Sequence, residues 1–339
     1  MERSSFTIDL GAVRRNAAAL ARAAAGAEVW AVVKAEGYGH GAVDVARAAL
    51  DGGATALCVA TVPEALHVRT ALREARVVVM GPVGEHEVAE ARAARLELVA
   101  ADGRVPEGLP VHLKLDTGMG RWGLSELPAP TRDVVAVMSH LASAESDPEF
   151  TRAQIDRFRS ATEALAGLTR HLANSAGTLR YPEARFDAVR CGIALYGISP
   201  FGEDPASEGL EPALRWDSYL ALVKLLASGE STGYGRRFVA ERPTWIGIVP
   251  VGYADGFRRD MTGTEVSVAG ERRRVVGTVS MDALAVELPD LLPTGIPVTL
   301  VGDGILIEDH ARVAGTIAYE IATGLNTRSR RAQRLVRDG

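Results

Sequence analysis

Between residues 10 and 200, short β-rich apolar runs alternate with Ala/Arg/Glu stretches of helical period, and after about Glu211 strand-like runs with Gly and Pro punctuation take over. These two textures predict an α/β chain: an N-terminal (β/α)8 TIM-type barrel, residues 1–211, then a C-terminal mainly-β domain, residues 212–339. A length of 339 residues suits two such units.

The barrel rests on eight runs: Val29–Lys34, Ala54–Thr61, Arg76–Met80, Leu96–Ala100, Val111–Asp116, Val134–Ser139, Arg170–Asn174 and Ala188–Tyr196. Eight βα units in roughly 190 residues lie near the lower size limit of such a barrel; an open doubly wound sheet is the competing arrangement. Residues Ser199–Leu214, rich in Gly, Pro and Glu, read as a linker. Beyond them Leu222–Ala227, Thr244–Val251, Glu265–Val268, Arg274–Val279, Leu284–Leu288 and Val298–Val301 read as strands, with a short helix near Asp309–Thr323.

Composition narrows the function classes. Hydrophobic residues make up 47% and charged residues 24%, the balance of an ordinary globular protein. A net charge of -5 argues against a nucleic-acid partner, whose phosphates call for clustered cations. The C-terminal run Arg328, Arg330, Arg331, Arg334 and Arg337 reads more simply as a solvated face. Cys58 and Cys191 each sit in a buried apolar run and read as reduced thiols. The first residues lack a signal-peptide core and no run is apolar enough to span a membrane, so a cytoplasmic, membrane-free protein is expected. No metal-ligand set is assigned.

In a barrel the site lies at the C-terminal ends of the strands. The first run ends in Lys34, followed by Ala35-Glu36-Gly37-Tyr38-Gly39-His40-Gly41. A lysine desolvated there, near other cations, loses its charge more readily and can form a Schiff base; on position alone it reads equally well as a solvated lysine before a glycine loop. After the seventh and eighth runs come Asn174-Ser175 and Arg190-Cys191-Gly192-Ile193, where barrels commonly hold phosphate through hydroxyls and backbone amides; capping and a tight turn explain them equally well one by one. The fifth run places His112, Lys114 and Asp116 on one face, where a structural ion pair is the simpler reading, and Arg121 follows in a glycine turn suited to clamping a carboxylate. In the β domain Tyr234 stands between Gly233 and Gly235, poorly packed locally, which favours a meeting with another surface; a hairpin or core tyrosine is the alternative.

Taken together and in this order, Val33-Lys34 to Gly41, Gly118-Met119-Gly120-Arg121, Asn174-Ser175, Arg190, Gly233-Tyr234-Gly235 and Gly252-Tyr253-Ala254-Asp255-Gly256 resemble the alanine racemases, nearly end to end. The resemblance implies pyridoxal 5′-phosphate (PLP) on Lys34, which serves one face of the substrate, and Tyr234 from the partner subunit of a homodimer serving the other. It implies Arg190 at the pyridine nitrogen, where a permanent cation weakens the ring as an electron sink. Tyr38, Ser175 and Tyr253 would surround the phosphate with Gly192 and Ile193 as backbone donors, Asn174 would line the cofactor and His140 the ring, and Arg121, Met281 and Asp282 would place the substrate. Lys114 matches a position carbamylated in some relatives. The product, D-alanine, would supply cell-wall peptidoglycan.

Three departures stand out: Glu36-Gly37 replaces the commoner small polar pair, the chain is shorter than most relatives, and Thr327 stands where many relatives have a tyrosine. The smaller threonine relaxes the expected discrimination against serine. Rival readings are a PLP-dependent decarboxylase, which would pair the ring nitrogen with a carboxylate rather than Arg190, and a non-catalytic PLP-binding barrel, which would lack the β domain.

Overall fold

After strand β1 (Ser5–Asp9) and helix Leu10–Ala24, eight parallel strands close into a barrel: β2 (Glu28–Val32), β3 (Ala56–Val59), β4 (Val77–Val79), β5 (Glu97–Ala100), β6 (Val111–Lys114), β7 (Val134–Met138), β8 (Thr169–His171) and β9 (Ala188–Cys191). The computed structural model describes residues 2–327 and 330–338. The ring shuts where β9 pairs with β2, Glu28 opposite Ala188 and Ala31 opposite Cys191. Strands such as β3 and β4 are buried along their whole length, which is why they read as unbroken apolar runs instead of alternating ones.

Local signals set the helix starts. Thr61 caps helix Val62–Ala71 in a reciprocal box with Glu64, and Asp147 caps Pro148–Thr162, with Pro148 in the first turn. The expectation of a helix after every strand fails after β5, β6 and β9. Neither β5 nor β6 is followed by one among the described residues; Pro106, Pro110, Pro128 and Pro130 interrupt those stretches. Two runs also end early: Asn174 caps helix Ser175–Arg180 instead of extending β8, and Gly192 stops β9, after which Ile193–Tyr196 coils into a 3-10 turn.

The second unit is a nine-stranded sheet in the order β11-β14-β17-β16-β15-β18-β10-β1-β19. Its strands are β10 (Leu214–Tyr219), β11 (Leu222–Leu226), β14 (Thr244–Val249), β15 (Glu265–Val268), β16 (Glu271–Val276), β17 (Leu284–Leu288), β18 (Pro297–Val301) and β19 (Gln333–Arg337), with a small pair, β12 (Ser231–Thr232) and β13 (Phe238–Val239), beside it. The expected single helix is two, Ile307–Ala314 and Ala318–Gly324, separated at Gly315.

The division of the chain differs from a simple cut at residue 211: residues 2–11 cluster with this sheet. Strand β1 pairs antiparallel with β10 and parallel with β19. Packing explains it, because Phe6 and Ile8 are fully buried and Phe6 stacks on Trp216 with ring centroids 4.9 Å apart. The Trp216 indole N–H then donates to Ser4 Oγ at 2.8 Å, so the large ring is buried with its polar atom satisfied.

Candidate active site

Lys34 lies two residues past the end of β2, at the start of an unusual turn. Ala35, Glu36, Gly37, Tyr38 and Gly39 all have φ between 50° and 83°, a short left-handed coil in which three residues carry side chains. That conformation costs roughly 1–2 kcal/mol for each such residue, and strain of this kind persists only where neighbours enforce it. They do: Gly37 N–H donates to Val33 O, Gly41 N–H to Glu36 O, and Ala35 N–H to Glu64 Oε1 at 2.7 Å. The other oxygen of Glu64 accepts from the amides of Ala60 and Thr61. Burial and the charge of Arg121 lower the Lys34 amine below its ordinary value, with the Glu64 carboxylate opposing them.

Tyr38 closes the turn with its ring buried against Tyr196, centroids 4.9 Å apart. Its hydroxyl reaches the first residue beyond β9: a β-carbon on Gly192 would stand 2.6 Å from it. Ser175 Oγ accepts from the amides of Gly192 at 3.0 Å and Ala194 at 3.4 Å. Two phenolic or alcoholic hydroxyls and the starts of two short helical turns, at Ser175 and Ile193, therefore meet at the end of β8 and β9. Asn174 is turned to a different task from lining a ligand, since its Oδ1 accepts from Gly177 N–H and its amide donates to Leu141 O.

Arg190, on β9, is almost wholly buried, which lowers its guanidinium to about 10. Nη1 donates to Nδ1 and the carbonyl of His171, and Nη2 to the carbonyls of Ser139 and Leu172 and to His140 Nδ1. None of these five bonds uses Nε. Burial and the neighbouring cations hold His140 and His171 well below the usual imidazole range, so both are neutral.

The fifth run does hold a buried pairing, but with a neighbouring strand and not among its own three polar residues. His112 is fully buried and paired, through Nε2 to Glu97 Oε2 at 2.7 Å, not to its own strand. Asp116 lies beyond the end of β6 and accepts from the amides of Gly118, Met119 and Gly120, organising the turn. Lys114 is buried with no carboxylate within 4 Å among the described residues, and burial together with Arg121 and Arg190 lowers its amine to about 8. Arg121 is exposed and lies over Trp122, 5.1 Å from the ring centroid, with the Lys114 amine 5.6 Å away on the same ring.

In the sheet unit, Tyr234 is 71% exposed on a turn whose Gly233 has φ +78° and whose β-carbon would strike the Thr278 amide at 2.7 Å. Thr278 Oγ1 donates back to Tyr234 O at 2.8 Å. Tyr253 and Met281 are exposed as well, and the segment 277–283 holds them together with Tyr234: Tyr253 N–H donates to Ser280 O and Ala254 N–H to Met281 O. Asp282 pairs with Arg331. Asp255, a buried carboxylate in the Gly252–Gly256 motif to which the sequence assigns no role, binds Arg3 and Arg331 and caps Gly252 N–H. Thr327 is buried, whereas Arg328 of the C-terminal basic run lies outside the described residues.

These residues fit PLP. A lysine with a lowered pKa, a hydroxyl-and-amide cradle that a β-carbon at Gly192 would fill, and a buried cation with Nε unengaged match an aldehyde, a phosphate and a ring nitrogen in turn. No helix among the described residues is long and apolar enough to cross a membrane.

Comparison with known proteins agrees over both units. The model of the alanine racemase N-terminal domain matches residues 8–200 and that of the C-terminal domain residues 213–333. The alanine racemase of Frankia casuarinae is 40% identical, covering 96% of this chain and 95% of that protein. The crystal structure of the biosynthetic alanine racemase of Pseudomonas aeruginosa superposes with a TM-score of 0.92 at 37% identity, over 99% of this chain and 100% of the other. That of Bartonella henselae, solved with covalently bound pyridoxal phosphate, does so with a TM-score of 0.87 at 26% identity over 98% and 99%.

Proposed function

The chain belongs to the alanine racemase family, and on that premise we propose how its own residues interconvert L- and D-alanine. The enzyme is an isomerase of the PLP-dependent kind. PLP, when bound, withdraws electrons from the substrate Cα and so makes its proton removable. Inversion needs two proton-transferring groups, because one base on one face returns the proton to where it came from. Lys34 Nζ serves one face, and its lowered pKa favours the neutral amine that the task requires. Tyr234 Oη, from a second copy of the chain, serves the other.

The observation that carries this reading is Tyr234 itself: a large ring 71% exposed on a turn that its own unit holds rigid from behind. A tyrosine so presented is built to meet another surface. Tyr253 and Met281, exposed on the same loops, would enter that surface beside it, with Asp282 nearby. On the barrel side, Tyr38, Ser175 and the amides of Gly192 and Ile193 would hold the phosphate, Arg190 the ring nitrogen through Nε, and His140 would border the ring. Asn174 contributes by capping the helix that begins with Ser175. Arg121 would bind the substrate carboxylate, steadied by a carbamylated Lys114. The same reading gives a homodimer in the cytoplasm supplying D-alanine for cell-wall peptidoglycan.

Mixing tests it. Lys34→Ala and Tyr234→Phe proteins, each inactive alone, should regain racemisation after subunit exchange, because one site of each mixed dimer holds both native groups. Persistent inactivity in verified mixed dimers would remove the shared site.

A further inference from the structure

A line of hydrogen bonds crosses the barrel interior from Arg190 to the opposite rim. Arg190 Nη1 meets His171 Nδ1 at 2.7 Å, His171 Nε2 meets His112 Nδ1 at 3.0 Å, and His112 Nε2 meets Glu97 Oε2 at 2.7 Å. Glu97 opens β5, at the N-terminal end of the strands, and Arg76, one residue before β4, grips it with two bonds of 2.7 and 2.9 Å. Trp30 packs along the line, 4.5 Å from the His171 ring and 5.7 Å from the His112 ring, with the Arg76 guanidinium 4.5 Å from its own.

The proton positions follow from the two ends. A guanidinium only donates and a carboxylate only accepts. His171 must therefore accept at Nδ1 and carry its proton on Nε2; His112 must accept at Nδ1 and carry its proton on Nε2. Every other assignment sets two donors or two acceptors face to face in a buried site. Doubly protonating His112 would force His171 to accept at both nitrogens, which would make it an anion. Reversing the direction would turn His171 Nδ1–H against the Arg190 N–H. Chemistry agrees with the geometry: burial pushes the Glu97 carboxyl up, but bonds from His112 and Arg76 outweigh it and hold it at about 2, and burial lowers both imidazoles.

We propose that Glu97, on the barrel rim opposite Lys34, is a positioning residue for Arg190, acting through a single forced tautomer of His112 and His171 that fixes the guanidinium's rotation. The inference rests on the reading that Arg190 faces the cofactor's ring nitrogen. With Nη1 and Nη2 both committed, Nε has one direction left, and a cation held there keeps the ring from being protonated. A His171 turned over to present Nδ1–H would set two donors face to face at Nη1, push the guanidinium against its bonds to the carbonyls of His171, Ser139 and Leu172, and relax that control. A proton returned to the cofactor instead of to Cα would leave the amino group on the cofactor as an amine, and hydrolysis by water would release pyruvate in place of alanine, once per cofactor.

The test uses holoenzyme labelled with 15N in its histidine rings, together with the ratio of pyruvate to racemised alanine. In the wild type, His112 and His171 should each show a protonated Nε2 and a bare Nδ1. Glu97→Ala should bring a second tautomer into the spectrum, raise the pyruvate ratio, and lower kcat about tenfold with KM nearly constant, a typical loss for a supporting residue. Glu97→Gln, which retains an acceptor oxygen, should restore most of the single tautomer and of the product ratio. A proton on Nδ1 of either ring in the wild type overturns the proposal, as does a Glu97→Ala enzyme with unchanged tautomers and product ratio. If Glu97→Ala does not fold, the wild-type spectrum and Glu97→Gln decide. Wild-type protein with the expected tautomers but no alanine racemisation would count against the function and leave the relay standing.

Discussion

The hydroxyl of Tyr38 occupies the space where a side chain on Gly192 would begin, 2.6 Å from an ideal β-carbon there. A residue in a left-handed turn and a residue beyond the last barrel strand are thus fitted to each other, and the cradle at Ser175 depends on that fit. Gly192→Ala should weaken PLP binding tenfold or more, and adding Tyr38→Phe should cost less in that variant than in the wild type, because it removes the phosphate's hydroxyl and the clash together. Fluorescence titration of apoenzyme measures both single variants and the double one. Losses that simply add would show that the contact is unimportant.

Glu64 ties the left-handed turn to helix Val62–Ala71 and its charge opposes the lowering of the Lys34 pKa. Glu64→Gln should therefore move the midpoint for modification of Lys34 in apoenzyme by an amine reagent to lower pH. Glu64→Ala should do the same and also lose about 0.5–1.5 kcal/mol of stability, because the exposed amides of Ala35 and Thr61 exchange its carboxylate for water. A midpoint that stays put or rises contradicts the assignment.

Lys114, lowered to about 8 by burial, Arg121 and Arg190, is roughly one-tenth neutral at pH 7, far more than an ordinary lysine. Only the neutral amine reacts with carbon dioxide. Protein exchanged into 13C-bicarbonate should carry a carbamate signal that strengthens as pH rises toward 8 and is missing in Lys114→Arg. A wild-type spectrum without the signal would leave Arg121 unsupported from that side.

Asp255 is buried between Arg3 and Arg331; burial pushes its carboxyl up, but those partners prevail and hold it at about 2 against an ordinary 3.8. A depressed folded pKa means stability present above pH 3.8 and lost as pH falls through about 2, amounting to about 2 kcal/mol. Urea unfolding of Asp255→Asn should show that deficit at pH 7 and little difference from wild type near pH 2. A constant gap across this range would point to packing instead of charge.

The short runs mark all eight barrel strands: β3 and β4, covered on both faces, are apolar along their length, and a barrel with its site at the strand ends singles out Lys34, Ser175 and Arg190 from the residues alone. Family-typical order did the rest for Tyr234 and Arg121. What local pattern did not reveal is equally specific. Strand β1 falls within the residues expected to belong to the barrel, and only the contact of Phe6 with Trp216, 210 positions away, assigns it to the sheet. Asp116 shares a sequence period with His112 and Lys114 but turns aside once the strand ends. Glu97, His112, His171 and Arg190 come from four different strands, and no single segment shows that they form one hydrogen-bonded line. Periodicity records which face of an element is buried; the partner a buried polar atom finds is decided only when the barrel closes and brings distant strands within hydrogen-bonding reach.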